Sequence, residues 1–215
     1  MIANQQILEQ LNIPPAPRRK AILSEVADTI VQYIVAGTPL NVLFVCTHNS
    51  RRSQAAQLWL GTCLYLHNIE NIEVYSAGAV ATAFNYRMVD AARRMGFKVN
   101  LQRTDEEEKY RVDSPFHPVF SQTFFSKTID DQSLPTENVL VLHTCTDAEA
   151  SCPVIHGATH TYSLPFRDPS RFDGHPHQDK LYEATFRHIG SEMMFLSKEV
   201  ADQLVARNAI ENVIG

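Results

Sequence analysis

The feature that most constrains this chain is an apolar strand that runs into a loop and then into a helix. Residues 40–46 are rich in β-branched and aromatic side chains, which is typical of a parallel strand covered on both faces. A helical pattern begins near Ser53, seven residues after the end of this run. A parallel strand needs a crossover of this kind to reach its neighbour, so the sequence predicts an α/β fold.

The same alternation continues to the end of the chain. Further strands are predicted at 72–76, 138–143 and 159–163, with one helical pattern ending at Gly96 and another at about 178–207. Apolar residues step by four and three along the last helix: Tyr182, Phe186, Ile189, Met193, Leu196 and Val200. We therefore expect a three-layer sandwich built on a four-stranded parallel sheet, with helices on both faces. Ligands of such sheets bind at the carboxyl ends of the strands.

Two segments lie outside this pattern. Residues 1–38 are predicted to be an N-terminal helical extension, because apolar residues between 22 and 34 recur at helical spacing. The sequence Ala36-Gly37-Thr38-Pro39 then breaks the helix, so the main domain is expected to span 39–215. Residues 98–137 carry an acidic run at 105–108 and fit no regular element, and we predict a long excursion there with a possible β-hairpin.

Charge and composition exclude several classes of protein. The chain has 24 acidic and 19 basic residues and a formal net charge of −5, which argues against nucleic acid as a partner. It has no apolar run long enough to span a membrane and no cationic start followed by an apolar stretch, so a cytoplasmic protein without a membrane partner is expected. Any anion that the protein binds must be held locally.

The loop after the first strand carries the clearest chemical signal. It places Cys46 at the strand end, then five residues, then Arg52 and Ser53 at the start of a helix. Amide groups and the dipole at a helix N-terminus bind anions, a thiolate there is stabilised as a nucleophile, and a guanidinium grips two oxygens of an oxyanion. The ending differs from the Gly-Lys-Ser/Thr of a nucleotide-binding loop. The predicted oxyanion-binding residues are Thr47, His48, Asn49, Ser50, Arg51 and Arg52.

Residues 42–54 resemble the signature loop of the low-molecular-weight protein tyrosine phosphatases and of the thioredoxin-coupled arsenate reductases that share their fold. The stretch from Val74 to Gly78 is similar to the second strand of that group, and Asp168-Pro169 is similar to its general-acid loop. The resemblance runs from about 40 to 200 and omits the N-terminal extension. It implies the phosphatase-like version of the fold, with the flavodoxin-like strand order 2-1-3-4.

The resemblance also implies a role for each matched residue. Cys46 is the nucleophile and Arg52 binds the oxyanion. Ser53 donates a hydrogen bond to the thiolate, and Asn49 holds the loop in shape. Asp168 is the acid that protonates the departing oxygen, which suits a carboxyl group near the bound anion.

Cysteine usage separates the two branches of this superfamily. A phosphatase needs one thiolate, whereas an arsenate reductase must also supply two electrons. Cys145 and Cys152 follow the third predicted strand and resemble the Cys-x6-Cys-Pro redox segment of the reductases. Considered on their own, Cys145 is better interpreted as a buried cysteine at a strand end, and Cys152 as a cysteine that lies near it by chance. A disulfide between positions seven apart requires the segment to leave a helical conformation, so a mobile redox segment is predicted.

The resemblance to the reductases implies a disulfide relay. Cys46 attacks arsenate, and Cys145 attacks the resulting adduct, which releases arsenite and leaves a Cys46–Cys145 disulfide. Cys152 then attacks Cys145 and moves the disulfide outward. Thioredoxin or a similar dithiol donor resets the enzyme by thiol exchange. The sequence therefore predicts an arsenate reductase without a cofactor, and the alternative is a low-molecular-weight protein tyrosine phosphatase.

Other features weigh on this choice. Arg51 stands where the group commonly has a second loop cysteine, so a disulfide within the loop is impossible. No aromatic pair follows Asp168-Pro169, which disfavours a phosphotyrosine pocket.

Cys63 falls within a helix pattern and is predicted to be a core residue. The nine histidines suggest a metal-binding or sensor protein as a non-enzymatic alternative, but their spacing matches no zinc motif; an inactive scaffold that binds a partner is the remaining alternative.

Overall fold

The computed structural model describes residues 2–103, 108–145 and 155–214. Two helices, α1 (Ile2–Leu11) and α2 (Pro17–Val35), precede the first strand. The other elements follow in this order: β1 (Leu40–Cys46), α3 (Arg52–Leu66), β2 (Ile72–Gly78), α4 (Tyr86–Arg94), β3 (Lys98–Arg103), β4 (Glu108–Asp113), β5 (Ser121–Phe124), β6 (Val139–His143), β7 (Ala158–Ser163), a 3-10 turn (Pro169–Phe172) and α5 (Gln178–Ile214).

The central sheet has four parallel strands in the order β2-β1-β6-β7. Counted along the chain this is the order 2-1-3-4, so the predicted fold class is confirmed. Strand β2 runs two residues beyond its predicted end, because Ala77 and Gly78 pair with Val45 and Cys46 of β1. The carboxyl ends of β1 and β6 therefore meet at one edge of the sheet.

The core lies on both faces of this sheet. One face of β1 and β6, including Phe44 and Leu142, packs into a large cluster with buried residues of the helices. The opposite face, including Val45 and Val141, forms a smaller cluster that also contains Cys46. Ile129, Leu134 and Ile155, from the segments before and after β6, pack against it. Alternate residues of each strand thus face the two clusters, as expected for a fully covered parallel strand.

Helix α3 is more deeply buried than its sequence suggested. Every residue from Arg52 to Leu64 is buried, including polar ones such as Gln54 and Gln57, because the helix lies against β1, β2 and α5. Trp59 is fully buried among aromatic rings, with the Phe97 ring centroid 5.1 Å away. Gly190 of α5 leaves room for this indole, since a Cβ there would lie 2.7 Å from it.

The excursion at 98–137 contains more structure than the predicted hairpin. Strands β3, β4 and β5 form a second, antiparallel sheet. A hairpin has two strands and this sheet has three; the alternating polarity near Ser121–Phe124, which favoured the hairpin, belongs to β5. Phe124 and Val112 are fully buried and attach this sheet to the core.

The N-terminal segment packs on the main domain. Leu23, Val26, Ile30 and Val31 of α2 are buried, in agreement with the predicted apolar face. Helix α2 contacts α5, β1 and β7, and Leu11 of α1 is also buried. The division of the chain after residue 38 remains a prediction. Among the described residues, no helix is both long and apolar enough to cross a membrane.

Candidate active site

Two cysteines lie at the edge of the sheet where β1 and β6 end. Cys46 is the last residue of β1, and Cys145 lies two residues beyond β6. Both are buried free thiols, 3% and 1% exposed, in the same apolar cluster. The Thr47 hydroxyl oxygen lies 3.5 Å from the Cys145 sulfur. The residue that follows one cysteine therefore touches the other.

The loop between β1 and α3 is held in shape by Asn49. This residue is fully buried and has a φ of 43°, in the left-handed region that asparagine tolerates better than most residues. Its side-chain amide donates to Ser53 Oγ at 2.9 Å, and its side-chain oxygen accepts from the Lys127 backbone amide at 2.9 Å. Gln54 donates to the Asn49 carbonyl at 2.7 Å. Residue 49 is therefore fixed from both sides.

The hydrogen bond from Asn49 orients the hydroxyl hydrogen of Ser53 toward the sulfur of Cys46. The Ser53 oxygen lies 3.1 Å from the Cys46 sulfur. Because that oxygen already accepts from Asn49, its own hydrogen is available to point at the sulfur. A hydroxyl that donates to a thiolate stabilises the charged form, which is the nucleophile.

The loop also depends on a close approach by the neighbouring strand. A Cβ on Gly78 would lie 2.6 Å from the Asn49 amide nitrogen and 3.0 Å from the Cys46 carbonyl oxygen. The Val80 amide, just beyond this glycine, donates to the Thr47 carbonyl at 2.9 Å. The nearest atoms are backbone, which cannot rotate away, so position 78 accepts no side chain without moving the loop.

Two arginines meet a single carboxylate beside this loop. Arg51 donates to both oxygens of Asp168, from Nε at 2.9 Å and from a terminal nitrogen at 3.2 Å. Arg52 donates to the same carboxylate at 2.7 Å and to the Phe166 carbonyl at 3.3 Å. The Nε atom of Arg52 is buried and has no hydrogen-bond partner within the described residues. One donor of this guanidinium therefore remains unused.

The charge state of Asp168 follows from these contacts. Burial acts to raise the pKa of this carboxyl group, but the hydrogen bond from the Ser170 amide and the nearby Arg51 and Arg52 outweigh burial and hold the pKa below its ordinary value. Asp168 is therefore an ionised carboxylate, paired with both guanidinium groups.

A small cavity lies at the centre of this arrangement. Its lining is polar and includes two arginines and one carboxylate: Cys46, His48, Ser50, Arg51, Arg52 and Asp168. With Asp168 paired to both arginines, it leaves no room for a water molecule. A ligand can therefore reach Arg52 only when the Asp168 side chain moves away from it.

Most of the residues predicted from the sequence come together here. Asn49 and Ser53 lie behind the cavity lining, and Cys145 lies beside Thr47. Cys152 and the predicted mobile segment fall in 146–154, outside the described residues. Cys63 is enclosed within α3, where burial raises the pKa of its thiol to about 12. Within the described ranges, no group of three or more His, Cys, Asp or Glu side chains is arranged to hold a metal.

Two contributors to the loop were not identified from the sequence. Gly78 had a signal, since an Ala-Gly pair at a strand end marks a close approach as well as a turn. Lys127 had none, because it acts through its backbone amide and its position depends on the fold of the 98–137 excursion. A long-range backbone contact leaves no local pattern in a single sequence.

Comparison with known proteins gives the following matches. The family model described as low molecular weight phosphotyrosine protein phosphatase matches residues 41–114. The arsenate reductase of Staphylococcus aureus (strain Newman) is 26% identical over 133 residues, which cover 62% of this chain and 81% of that protein. Arsenate reductase 2 of Staphylococcus epidermidis is 24% identical over 129 residues, which cover 60% and 78% of the two chains.

Two solved structures also match. A low molecular weight phosphotyrosine phosphatase from Vibrio cholerae O395 has 18% identity and a TM-score of 0.49, covering 78% of this chain and 98% of its own. A structure described as an arsenate reductase in the phosphate binding state has 18% identity and a TM-score of 0.47, covering 75% and 98%. The family match and the curated relatives confirm the resemblance predicted from the loop. The family match contains Cys46 and Arg52 and ends before Cys145 and Asp168.

Proposed function

We propose that this chain, a relative of the low-molecular-weight phosphatases and arsenate reductases, is an arsenate reductase. The observation that carries the proposal is the second buried thiol, Cys145, which contacts the loop of Cys46 through Thr47. Hydrolysis of a phosphate ester needs one thiolate, whereas reduction of arsenate needs a further thiol close to the first. The curated relatives named arsenate reductases support the same choice.

The oxyanion binds in the cavity at the start of α3. Backbone amides of the loop and the helix dipole attract the anion. The unused Nε of Arg52 and its neighbouring terminal nitrogen form the flat fork that binds two oxygens. Binding to this fork displaces Asp168 from Arg52, since both anions use the same nitrogen. The carboxylate then faces the bound anion and accepts a proton from it or returns one to it.

In the first chemical step, the Cys46 thiolate attacks arsenic and an arsenate oxygen departs as water, with Asp168 supplying the proton. In the second step, the Cys145 thiolate attacks the Cys46 sulfur. The sulfur–arsenic bond breaks, its electron pair stays on arsenic, and arsenite leaves as a Cys46–Cys145 disulfide forms. Arsenic gains two electrons and the two sulfurs lose two, so the step balances.

Reduction of the enzyme requires an external dithiol. Cys152 attacks Cys145, which frees Cys46 and leaves a Cys145–Cys152 disulfide. A thioredoxin-type donor then reduces that disulfide by thiol exchange. This cycle needs a reducing compartment, and we therefore propose that the protein works in the cytoplasm.

The alternative function is that of a phosphatase. Cys46, the loop amides, Arg52 and Asp168 are sufficient for a cysteinyl-phosphate intermediate that water hydrolyses, and the description of the matching family model favours this chemistry. The ion pairs of Asp168 with Arg51 and Arg52 close the site, and a phosphotyrosine ring, which is larger than an arsenate ion, requires a wider opening. Arsenate reduction is therefore the preferred proposal.

The test measures arsenate-dependent NADPH oxidation coupled through thioredoxin and thioredoxin reductase, beside hydrolysis of p-nitrophenyl phosphate. We expect arsenate turnover in the wild type and its loss in both Cys46→Ser and Cys145→Ser. Cys63→Ser is the matched control, a buried cysteine outside the site, and it should retain turnover. Arsenate turnover that survived Cys145→Ser would refute the relay. Aryl phosphate hydrolysis that depends on Cys46 alone, without arsenate turnover, would establish the phosphatase.

A further inference from the structure

The N-terminal extension contributes an arginine to the neighbourhood of the active site. We propose that Arg19 of α2 is a positioning residue that holds the backbone at 165–166, between the acid Asp168 and the end of β7, for the reaction. The proposal rests on the function proposed above, because it assigns Asp168 and Arg52 to that reaction. The extension lies outside the region that resembles the phosphatase and reductase superfamily.

Every part of the Arg19 guanidinium is engaged. Nε donates to one oxygen of Glu192 at 2.7 Å, and a terminal nitrogen donates to the other oxygen. The remaining terminal nitrogen donates to the Pro165 carbonyl at 2.7 Å. The central carbon lies 4.7 Å from the centroid of the Phe166 ring, within the range of a cation–π contact. One side chain of the extension thus joins α5 to the loop after β7.

Glu192 fixes the orientation of the Arg19 guanidinium. Its side chain is 2% exposed, and the side chain of Arg19 is 20% exposed. A buried carboxylate needs a paired cation, and a bidentate Arg–carboxylate pair defines both distance and orientation. Because α5 is a long helix packed against α2, α3 and α4, the guanidinium is anchored to the most extensively packed helix of the domain.

The backbone of Pro165 and Phe166, which Arg19 holds, contacts several elements of the candidate site. The Phe166 amide donates to the Thr144 carbonyl at 3.0 Å, next to Cys145. The Phe166 carbonyl accepts from Arg52 at 3.3 Å. Asp168 lies two residues further along. A shift of the peptide at 165–166 therefore moves the acid, reorients the oxyanion-binding guanidinium and alters the end of β6 together.

Arginine is required for this arrangement because three separate contacts are made at once. A lysine at position 19 keeps the positive charge for Glu192. Its single ammonium group cannot make the two parallel hydrogen bonds to Glu192 and, on the other side, the hydrogen bond to the Pro165 carbonyl. Charge and positioning can therefore be separated by substitution. Arg18, the adjacent residue on the same helix, is exposed and provides a matched control.

The test compares four variants of the full chain: Arg19→Lys, Arg19→Gln, the double variant Arg19→Gln/Glu192→Gln, and Arg18→Gln. The double variant removes both charges together, so that no unpaired buried carboxylate destabilises the fold. Hydrogen exchange is measured at the Phe166 amide and, as an internal reference, at the amides of β1. Steady-state kcat and KM are measured with arsenate in the coupled assay.

We expect exchange at Phe166 to become at least about tenfold faster in Arg19→Lys and in the double variant, while β1 remains protected. We expect kcat for arsenate to fall about tenfold to a hundredfold, as for a small misplacement of catalytic groups. KM should rise by a smaller factor than kcat falls, because the displaced Arg52 weakens anion binding while the loop amides still hold the anion. Arg18→Gln should match the wild type.

Three results would overturn the proposal: unchanged exchange at Phe166 in the double variant, full kcat in Arg19→Lys, or equal loss of protection in β1, which would indicate general destabilisation. Failure of the proposed function has a different signature. A wild type without arsenate turnover would refute the reductase, and exchange at Phe166 would still decide whether Arg19 holds the loop.

Discussion

Replacement of Asn49 by alanine tests how the loop shapes the nucleophile. The substitution removes two buried hydrogen bonds, one to Ser53 and one from Lys127. It also places alanine at a φ of 43°. Each buried group left without a partner costs about 1–3 kcal/mol, and the left-handed conformation costs alanine about 1 kcal/mol. Single substitutions rarely exceed about 5 kcal/mol, so we expect a loss of about 3–5 kcal/mol in the free energy of unfolding.

Two companion variants divide this loss into its parts. Asn49→Gly loses the same hydrogen bonds but tolerates the backbone conformation, so it should be about 1 kcal/mol less destabilising than Asn49→Ala. Asn68, an exposed residue with a φ of 54°, provides the converse control. Asn68→Ala should show the backbone cost of about 1 kcal/mol alone.

Urea unfolding measures these stabilities, and alkylation by iodoacetamide at pH 7 measures the reactivity of Cys46. Without Asn49, the Ser53 hydroxyl is no longer oriented toward the sulfur. A hydrogen bond to a charged group contributes about 1.5–3 kcal/mol, so alkylation of Cys46 should slow by about tenfold or more. An Asn49→Ala protein that lost less than about 1 kcal/mol, or that was alkylated at the wild-type rate, would refute the argument.

Further predictions concern three other positions. Arg51→Met removes a partner of the Asp168 carboxylate, so the pKa of that group should rise toward 3.8. A carboxyl group whose pKa is lower in the folded than in the unfolded protein stabilises the fold at pH values above its unfolded pKa. This stabilisation is lost as the pH falls through the pKa of the folded state. Urea unfolding from pH 6 to 2 should therefore show a smaller acid-dependent loss of unfolding free energy in the variant than in the wild type. Cys63 should resist iodoacetamide in the native protein at pH 7, as seen by peptide mapping, because its pKa is about 12. Gly190→Ala forces a methyl group against Trp59 and should cost about 1–3 kcal/mol in urea unfolding without changing the arsenate KM.

The central sheet could be predicted because its strands carry a strong local signal. A run such as 40–46, apolar on both faces, has few alternatives to a buried parallel strand. The last helix was predicted for the same reason, since its apolar residues keep one spacing over several turns. Its end was placed at about 207 instead of Ile214, because the repeating apolar face stops near Val200 while the helical backbone continues.

The residue pattern alone predicted the candidate site only as far as it is local, and the resemblance to the phosphatases and reductases added the distant residues Asp168 and Cys145. Cys46 through Ser53 are contiguous, so their geometry follows from a strand, a loop and a helix. Lys127 and Arg19 reach the site across the fold, through a backbone amide and through a fork held by Glu192. Such contacts depend on how distant elements pack, and a single sequence carries no spacing that reveals them. The paired arrangement of Asp168 with two arginines was not predicted for the same reason.

The pairing of Asp168 with Arg51 and Arg52 has a consequence for affinity. The carboxylate is a tethered competitor for the Arg52 nitrogen that an incoming oxyanion must use. The apparent dissociation constant then equals the intrinsic one divided by the fraction of molecules in which Arg52 is free. A pair that leaves Arg52 free in about a tenth of the molecules weakens binding about tenfold. A doubly charged anion gains more from the two guanidinium groups than a singly charged one, and it overcomes this competition more readily. Because every anion is weakened by the same factor, the more weakly bound, singly charged anions are the first to be excluded at a given concentration.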